Sequence, residues 1–142
     1  MGLDGLELEP VFSPLGEERF ARGVELVYEG YLAHYGTPRS LLQDDVDGGL
    51  LSGDELYAHG LALVAALGEP AAVSDLADLL ARCAELRAAG ADGDGEVWAA
   101  AVALLGSSPL RGRDDPAELA RAAAGSDAVE RALAAHAERT IR

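Results

Sequence analysis

The sequence has one cysteine, no lysine and no long apolar run. Cys83 has no second cysteine to pair with, which excludes an internal disulfide. No apolar stretch approaches the roughly 20 residues that a membrane-spanning helix needs. The N-terminus, MGLDGLELEP, lacks the basic start and apolar segment of a signal peptide. These absences predict a cytoplasmic protein that is not inserted in a membrane.

Basic residues are also scarce. The formal net charge is −14, from 25 acidic and 11 basic residues, and every basic residue is arginine. Residues 1–70 carry 13 acidic side chains and only 3 arginines. Such a chain repels phosphate backbones, because nucleic-acid binding depends on lysine and arginine. We therefore expect neither nucleic acid nor an anionic membrane as a partner, and a cation or a basic protein surface fits better.

Aromatic residues make up only 5% of the chain, whereas apolar residues make up 49%. The core must therefore consist mainly of Leu, Val and Ala, which suits close helix packing. The chain of 142 residues has the length of one domain, and no segment alternates polar and apolar residues as a strand does. The sequence predicts a single all-α domain over residues 1–142, a compact helical bundle of about five to six helices.

Helix signals divide the first third of the chain. Residues 1–12 show little periodicity and are predicted to be extended or mobile. Ser13 can cap a first helix that begins with a proline and ends at Gly36, which is expected in a left-handed conformation. Residues 37–51 contain a proline, two adjacent glycines and three aspartates, and we interpret them as a loop.

The remaining helices begin with recognisable caps. Ser52 and Glu55 have the spacing of a capping box, and the helix that they open ends at Gly68. Asp94 is expected to cap a helix that is apolar around most of its circumference and therefore central. The helices after the second are predicted over residues 70–89, 95–105, 116–124 and 127–140. The last two form an Ala-rich pair, within residues 113–142, that we expect to be the weaker part of the domain.

Acidic residues cluster after the first helix. The segment DDVDG contains Asp44, Asp45 and Asp47, and the helix that follows begins with Asp54 in LLSGDELYAHGLALVA. Clustered carboxylates suit magnesium, a hard ion that prefers oxygen ligands and often shares them with substrate phosphates. The alternative is a solvated acidic loop, since Asp and Gly both favour turns.

These two segments resemble the aspartate-rich first motif and the following Gly-Asp helix of trans-isoprenyl diphosphate synthases, which are all-helical enzymes that hold magnesium on a prenyl diphosphate. The resemblance covers about residues 20–85 and implies a metal site at Asp44, Asp45, Asp47 and Asp54. The chain departs from the family, because Gly48 stands where the motif keeps an aspartate and no second aspartate-rich motif follows. Asp75 and Asp78 come nearest, and we interpret them as a solvated helix edge. The resemblance therefore implies a reduced or accessory form.

Histidines and tyrosines lie at the ends of the first two helices. If these helices are antiparallel, their side chains could line one pocket for a small ligand beside the aspartates. The alternative is that the rings are buried and their polar ends are solvated. The residues are Tyr31, His34, Tyr35, Tyr57 and His59. Cys83 is predicted to be a small core residue. Trp98 is either a core anchor or an interface residue.

The sequence contains no complete catalytic triad, metal-ligand set or phosphate loop, and no cofactor motif. We therefore favour a non-catalytic helical protein that acts through protein-protein association, as a homodimer or with a helical partner. The apolar faces around Trp98 and the third helix are the expected interface. The alternative is an isoprenoid-synthase-like component that binds a metal-diphosphate, with Mg²⁺, or a small apolar ligand near Asp44 and Asp45.

Overall fold

Helices make up the regular structure of this chain, in a computed structural model that describes residues 6–40 and 52–140. They are α1 (Ala21–Tyr35), α2 (Gly53–Ala65), α3 (Pro70–Ala88), α4 (Asp94–Ala103), α5 (Pro116–Ala124) and α6 (Ser126–Thr140). No strand occurs in these two ranges. The prediction of an all-α fold with about six helices is confirmed. Among the described helices, none is both long and apolar enough to cross a membrane.

Two pairs of glycines bring α1 and α2 into close contact. A Cβ atom at Gly60 would lie 2.6 Å from the carbonyl oxygen of Gly23. A Cβ atom at Gly30 would lie 2.6 Å from the carbonyl oxygen of Gly53. The earlier glycine of α1 faces the later glycine of α2, so the two helices run antiparallel. Within each helix the two glycines lie two helical turns apart. The two contacts together form the α1–α2 seam, in which the backbones nearly touch.

The central element is α4, as its apolar circumference predicts. Residues 97–102 are all buried, and Trp98 has no exposed surface. Its indole ring stacks on Phe12 at 5.6 Å and meets the edge of Tyr28 at 5.0 Å between ring centroids. Trp98 is therefore a core anchor. On the apolar stripe of α3, Leu76, Leu79 and Cys83 are buried as well, so neither these residues nor Trp98 offer an exposed face for the association that the sequence predicts.

The chain before α1 differs from the prediction. Two single 3-10 turns, Ser13–Leu15 and Glu18–Phe20, replace the continuous helix expected from Ser13, and Ser13 makes no side-chain cap. The backbone N–H groups of Val11 and Ser13 instead donate to the buried carboxylate of Glu25, at 3.0 and 2.8 Å. A tertiary contact therefore overrides the local signal for a helix start.

Order also begins earlier than expected. Val11 and Phe12 are buried in the core, although residues 1–12 were predicted to be extended or mobile. Phe12 contacts Trp98, so the segment is fixed by packing. Residues 6–10 have no regular secondary structure.

Of three helix termini predicted from the sequence, two differ in the structure, either in the conformation or in the residue that caps the helix. The capping box is confirmed, because Ser52 accepts from the N–H of Glu55 and the Glu55 carboxylate accepts from the N–H of Ser52. Gly36 ends α1 but is extended (φ −157°). It must be glycine because a Cβ there would lie 2.5 Å from the Arg139 carbonyl oxygen. The cap of α4 is Gly93 at φ 111°, and Asp94 does not cap the helix.

Asp75 is not the solvated residue that the sequence predicts. Its side chain is buried, and its Oδ2 accepts from the backbone N–H groups of Gly106 and Ser108, at 2.7 and 3.1 Å. The carboxylate thus fixes the turn that follows α4. Asp78 lies nearer the surface and pairs with Arg111 at 3.0 Å.

The Ala-rich C-terminal pair packs on α4. From α6, Val129, Ala132 and His136 are buried, and Ala120 of α5 has no exposed surface. The predicted bounds of α5 are confirmed, and α6 begins one residue earlier than predicted. Since His136 reaches the centre of the molecule, α6 takes part in the site described next.

Candidate functional site

A buried chain of hydrogen bonds joins α1, α6 and α4. The hydroxyl of Tyr28 lies 2.6 Å from Nδ1 of His136, and Nε2 of His136 lies 3.1 Å from Oδ2 of Asp94. A carboxylate can only accept, so Nε2 of His136 carries the hydrogen of the contact with Asp94. Tyr28 and His136 are almost completely buried.

Asp94 is the centre of this arrangement. Besides His136, its Oδ2 accepts from the hydroxyl of Tyr31 at 2.6 Å and from Nη2 of Arg87 at 2.8 Å. The Nε of Arg87 in turn donates to the hydroxyl of Tyr31 at 3.2 Å. We refer to Tyr28, Tyr31, Arg87, Asp94 and His136 as the Asp94 cluster.

Arg87 is held from several sides. Its guanidinium lies over the rings of Tyr31 and Tyr35, 5.8 and 5.3 Å from their centroids. Cation–π contact adds to the ion pair with Asp94, and only 13% of the arginine side chain is exposed. The guanidinium therefore has a fixed orientation before any ligand arrives.

The environment fixes the protonation states of the cluster. Burial would raise the pKa of Asp94, but hydrogen bonds from His136 and Tyr31, with the charge of Arg87, outweigh it and hold the pKa well below its ordinary value. Burial raises the pKa of Tyr28 and of Tyr31 far above the ordinary value. Asp94 is therefore a carboxylate and both tyrosines are neutral over the physiological range.

A cavity of about 260 Å³ opens beside the cluster, where α3 ends and α4 begins. Its lining consists of Arg87, Gly90, Ala91, Asp92, Asp94 and Thr140. Two glycines shape the turn at its edge, since Gly90 and Gly93 have φ of 66° and 111°, values that favour glycine. The cavity thus exposes one guanidinium and two carboxylate side chains to a small molecule.

A second buried network ties the N-terminal segment to α1. Arg39 pairs with Glu25 and, at 3.0 Å through Nε, with Glu29. The Glu29 carboxylate also accepts from the backbone N–H groups of Arg39 and Ser40. Burial works to raise the pKa of Glu29, but these hydrogen bonds from Ser40 and Arg39 outweigh it and the pKa is lowered. This network is structural, because its carboxylates are occupied by backbone and arginine donors.

Four of the five predicted ligand-pocket residues are connected by ring contacts, and the fifth is exposed. Tyr31 is buried in the Asp94 cluster, and Tyr35 packs on it with ring centroids 4.9 Å apart. His34 and Tyr57 stack on each other at the surface side of the α1–α2 seam, 5.4 Å apart. His59 is exposed. His34 also packs on Tyr35, with ring centroids 6.0 Å apart. Tyr31, Tyr35 and His34 of α1 and Tyr57 of α2 therefore form one continuous row of ring contacts across the antiparallel helices.

Most of the predicted metal ligands lie outside the described residues, namely Asp44, Asp45 and Asp47. Asp54 is described, and it bonds Nε2 of His34 at 3.1 Å with 85% of its side chain exposed. It therefore lies at the surface. Within residues 6–40 and 52–140, no group of three or more His, Cys, Asp and Glu side chains could hold a metal ion.

Cys83 lies beside the cluster as a core residue. It is a free thiol without exposed surface, 3.9 Å from the carbonyl oxygen of Asp94. Burial raises its pKa to about 12. The thiol is therefore protonated at neutral pH and a poor nucleophile.

The other notable surface is formed by the outside of α2 and the turn that follows it. The segment 60–68 contains no polar side chain, yet Ala62, Leu63, Ala66 and Leu67 are exposed. Leu63 and Leu67, each 43% exposed, are the exposed large hydrophobic residues of the described chain. We refer to these four residues as the α2 outer face.

Sequence reasoning missed the central members of the site, Arg87, Asp94 and His136. Asp94 is predicted from the sequence only as a cap, and His136 has no i, i+4 partner of a helical metal pair that would single it out. The one available signal was an acid and an arginine, Asp94 and Arg87, on either side of a glycine-rich turn. Comparison with protein-family models, curated proteins and solved structures gives no match. The resemblance to trans-isoprenyl diphosphate synthases therefore stays a prediction.

Proposed function

We propose that this chain is a non-catalytic helical protein that acts through protein-protein association, by pairing with a second copy of itself through the α2 outer face. The observation that carries the proposal is an exposed helix face without a polar side chain, in a protein whose other apolar stripes are buried. Exposed apolar patches of this kind mark interaction sites. The proposal places the protein in the cytoplasm, where a free cysteine such as Cys83 stays reduced.

A second copy is the occupant that this face fits. Its alanines allow close approach of another helix, and the two leucines supply the apolar surface. A two-fold axis near Ala62 would lay the α2 helices antiparallel. A surface that pairs with itself in this way is typical of two-fold dimers.

Three members of the Asp94 cluster, namely Asp94, Tyr28 and Tyr31, support the non-catalytic part of the proposal. A general acid or base works best with a pKa near the operating pH. The pKa of Asp94 is lowered and the pKa values of Tyr28 and Tyr31 are raised. All three shifts are away from neutrality, so the carboxylate stays ionised and the tyrosines stay neutral. The cluster is thus suited to holding α1, α3, α4 and α6 together.

The proposal is tested by the mass of the protein in solution. Light scattering after size exclusion should give twice the 14.7 kDa of one chain for the wild type. Replacement of Leu63 and Leu67 by lysine should reduce the mass to that of one chain, since two charges would be buried against an apolar partner. The matched control is Ala122→Lys with Ala123→Lys, which adds the same charge at exposed positions of α5.

The control should remain dimeric, and all three proteins should have the same helical circular dichroism. A wild type that stays monomeric over a wide concentration range would overturn the proposal. Loss of the dimer in both lysine variants would place the interface elsewhere.

A further inference from the structure

We infer that the cavity beside the Asp94 cluster is a binding site for a small zwitterion of the free amino-acid class, which carries one carboxylate and one ammonium group. The site is separate from the α2 outer face, so it does not depend on the proposed association. It is lined by the end of α3, the turn that follows, the first residue of α4 and the last residue of α6.

The cavity is lined by a positive and a negative side chain, the two charges that a zwitterion needs, and each has an atom that can still bind a ligand. Arg87 uses Nε for Tyr31 and Nη2 for Asp94, and no hydrogen bond among the described residues involves its Nη1. Asp94 receives its three donors on Oδ2, and in the same part of the chain none reaches Oδ1. The Nη1 of Arg87 is therefore left to donate to a ligand, and the Oδ1 of Asp94 is left to accept from it.

The charge balance of the lining selects the ligand class. A simple anion would meet Arg87 but would be repelled by Asp94 and Asp92. A simple amine would be attracted by the aspartates but would leave the Nη1 donor of Arg87 without an acceptor. A molecule with both groups satisfies both sides, with its carboxylate on the guanidinium and its ammonium towards the aspartates. Arginine is suited to this task because its planar fork matches a carboxylate.

The size and rigidity of the site fit a small ligand. Its volume of about 260 Å³ lies below the roughly 300–1,000 Å³ of sites for drug-sized molecules. The guanidinium is already held by Asp94, Tyr31 and the ring of Tyr35. Little side-chain freedom is lost on binding, which favours affinity.

Calorimetric titration of the intact protein tests the inference with defined probes. L-alanine should bind, whereas N-acetyl-L-alanine, which lacks the ammonium, and L-alanine methyl ester, which lacks the carboxylate, should each bind at least about tenfold more weakly, the loss expected for one charge-assisted hydrogen bond. Equal binding of the acetylated probe would show an anion site, and equal binding of the ester a cation site. Either result would overturn the inference, as would absence of L-alanine binding.

Two variants and one control locate the site. Arg87→Lys keeps the charge but loses the fork, and it should weaken L-alanine binding about tenfold. Because Arg87 also belongs to the cluster, Asp92→Asn gives an independent test at an exposed residue, with an expected loss of about threefold. Asp114→Asn, the same change in an exposed loop, should bind as the wild type does. If Asp92→Asn and Asp114→Asn behave alike, the binding site is not this cavity.

Discussion

At the scale of single residues, the interior is unusual because it contains charged side chains that are almost completely buried. Glu25 and Glu29 lie one turn apart on α1, and Arg39 bonds both carboxylates with 3% of its side chain exposed. Taking such charges out of water costs free energy, and the cost is recovered only if each has its partners. Val11, Ser13 and Ser40 provide the remaining donors through their backbone N–H groups.

Removal of Arg39 should therefore be severe. We expect Arg39→Met to lower the free energy of unfolding by about 3–5 kcal/mol, since two buried carboxylates would lose their counter-charge. Urea denaturation followed by circular dichroism measures the change. Arg111→Met, which breaks the exposed pair with Asp78, serves as the control and should cost at most about 1 kcal/mol. A loss of similar size in both variants would contradict the account of the buried network.

The lowered pKa of Asp94 gives a prediction for pH. A carboxyl group whose pKa is lower in the folded than in the unfolded state stabilises the fold above the unfolded value, and this contribution is lost as the pH falls towards the folded value. Asp94→Asn should therefore be less stable than the wild type at pH 7, by about 2–3 kcal/mol. The difference should shrink below about pH 4, the ordinary range of aspartate.

Thermal unfolding of both proteins between pH 7 and pH 2 measures this effect. Glu29, whose pKa is also lowered, contributes equally to both proteins and cancels in the difference. A constant difference over the whole range would show that Asp94 is not held as a carboxylate by its neighbours.

These interior residues could not be predicted from the sequence. On α1, Glu25 and Glu29 look like solvent-facing positions, because an acidic side chain is rarely buried unless it is paired. The pairing partner, Arg39, lies beyond the end of the helix, and no local pattern connects it to the two acids. Asp94 and His136 are 42 residues apart, so their contact depends on the packing of α6 against α4.

At the scale of helices, the sequence predicted helix starts correctly where the contacts that determine them are local. The capping box at Ser52 and the prolines that open α3 and α5 are short-range features, and the helix starts there agree with the sequence. The second helix was predicted to run to Gly68, but α2 ends at Ala65. The start of α1 was missed because the donors before it bond to Glu25 instead of continuing a helix. Tertiary contacts override propensity at such places.

The glycine seam between α1 and α2 yields a prediction at this scale. Alanine favours helices by up to about 1 kcal/mol over glycine, but a Cβ at Gly60 would lie 2.5 Å from the side chain of Val27 and 2.6 Å from the Gly23 carbonyl oxygen. The helices would have to separate, and we expect Gly60→Ala to lower the free energy of unfolding by about 1–3 kcal/mol.

Gly112→Ala is the matched control, because no atom lies within 4 Å of a Cβ placed there. Chemical denaturation should leave that variant within about 0.5 kcal/mol of the wild type. A Gly60→Ala protein more stable than the wild type would mean that α1 and α2 are not in such close contact.

At the scale of the whole molecule, charge and apolar surface are distributed unevenly. The chain carries a net charge of −14, which opposes association through its general surface. The α2 outer face is free of charge, so it is the place where two copies can meet without that penalty. The sequence predicted the fold class. Association stays a prediction, and the sequence placed its interface on Trp98 and α3. Only the packing shows that those residues are buried and that α2 lies on the outside.

The most direct test of the proposed pairing is crosslinking at the α2 outer face. Ala62→Cys, treated with a thiol crosslinker of about 10 Å reach, the distance between packed helices, should give a covalent dimer on a denaturing gel. The wild type serves as a blank because Cys83 is buried, and Ala123→Cys on α5 controls for random collision. The account predicts dimers for Ala62→Cys alone. No dimer at Ala62, or equal crosslinking at Ala62 and Ala123, would contradict it.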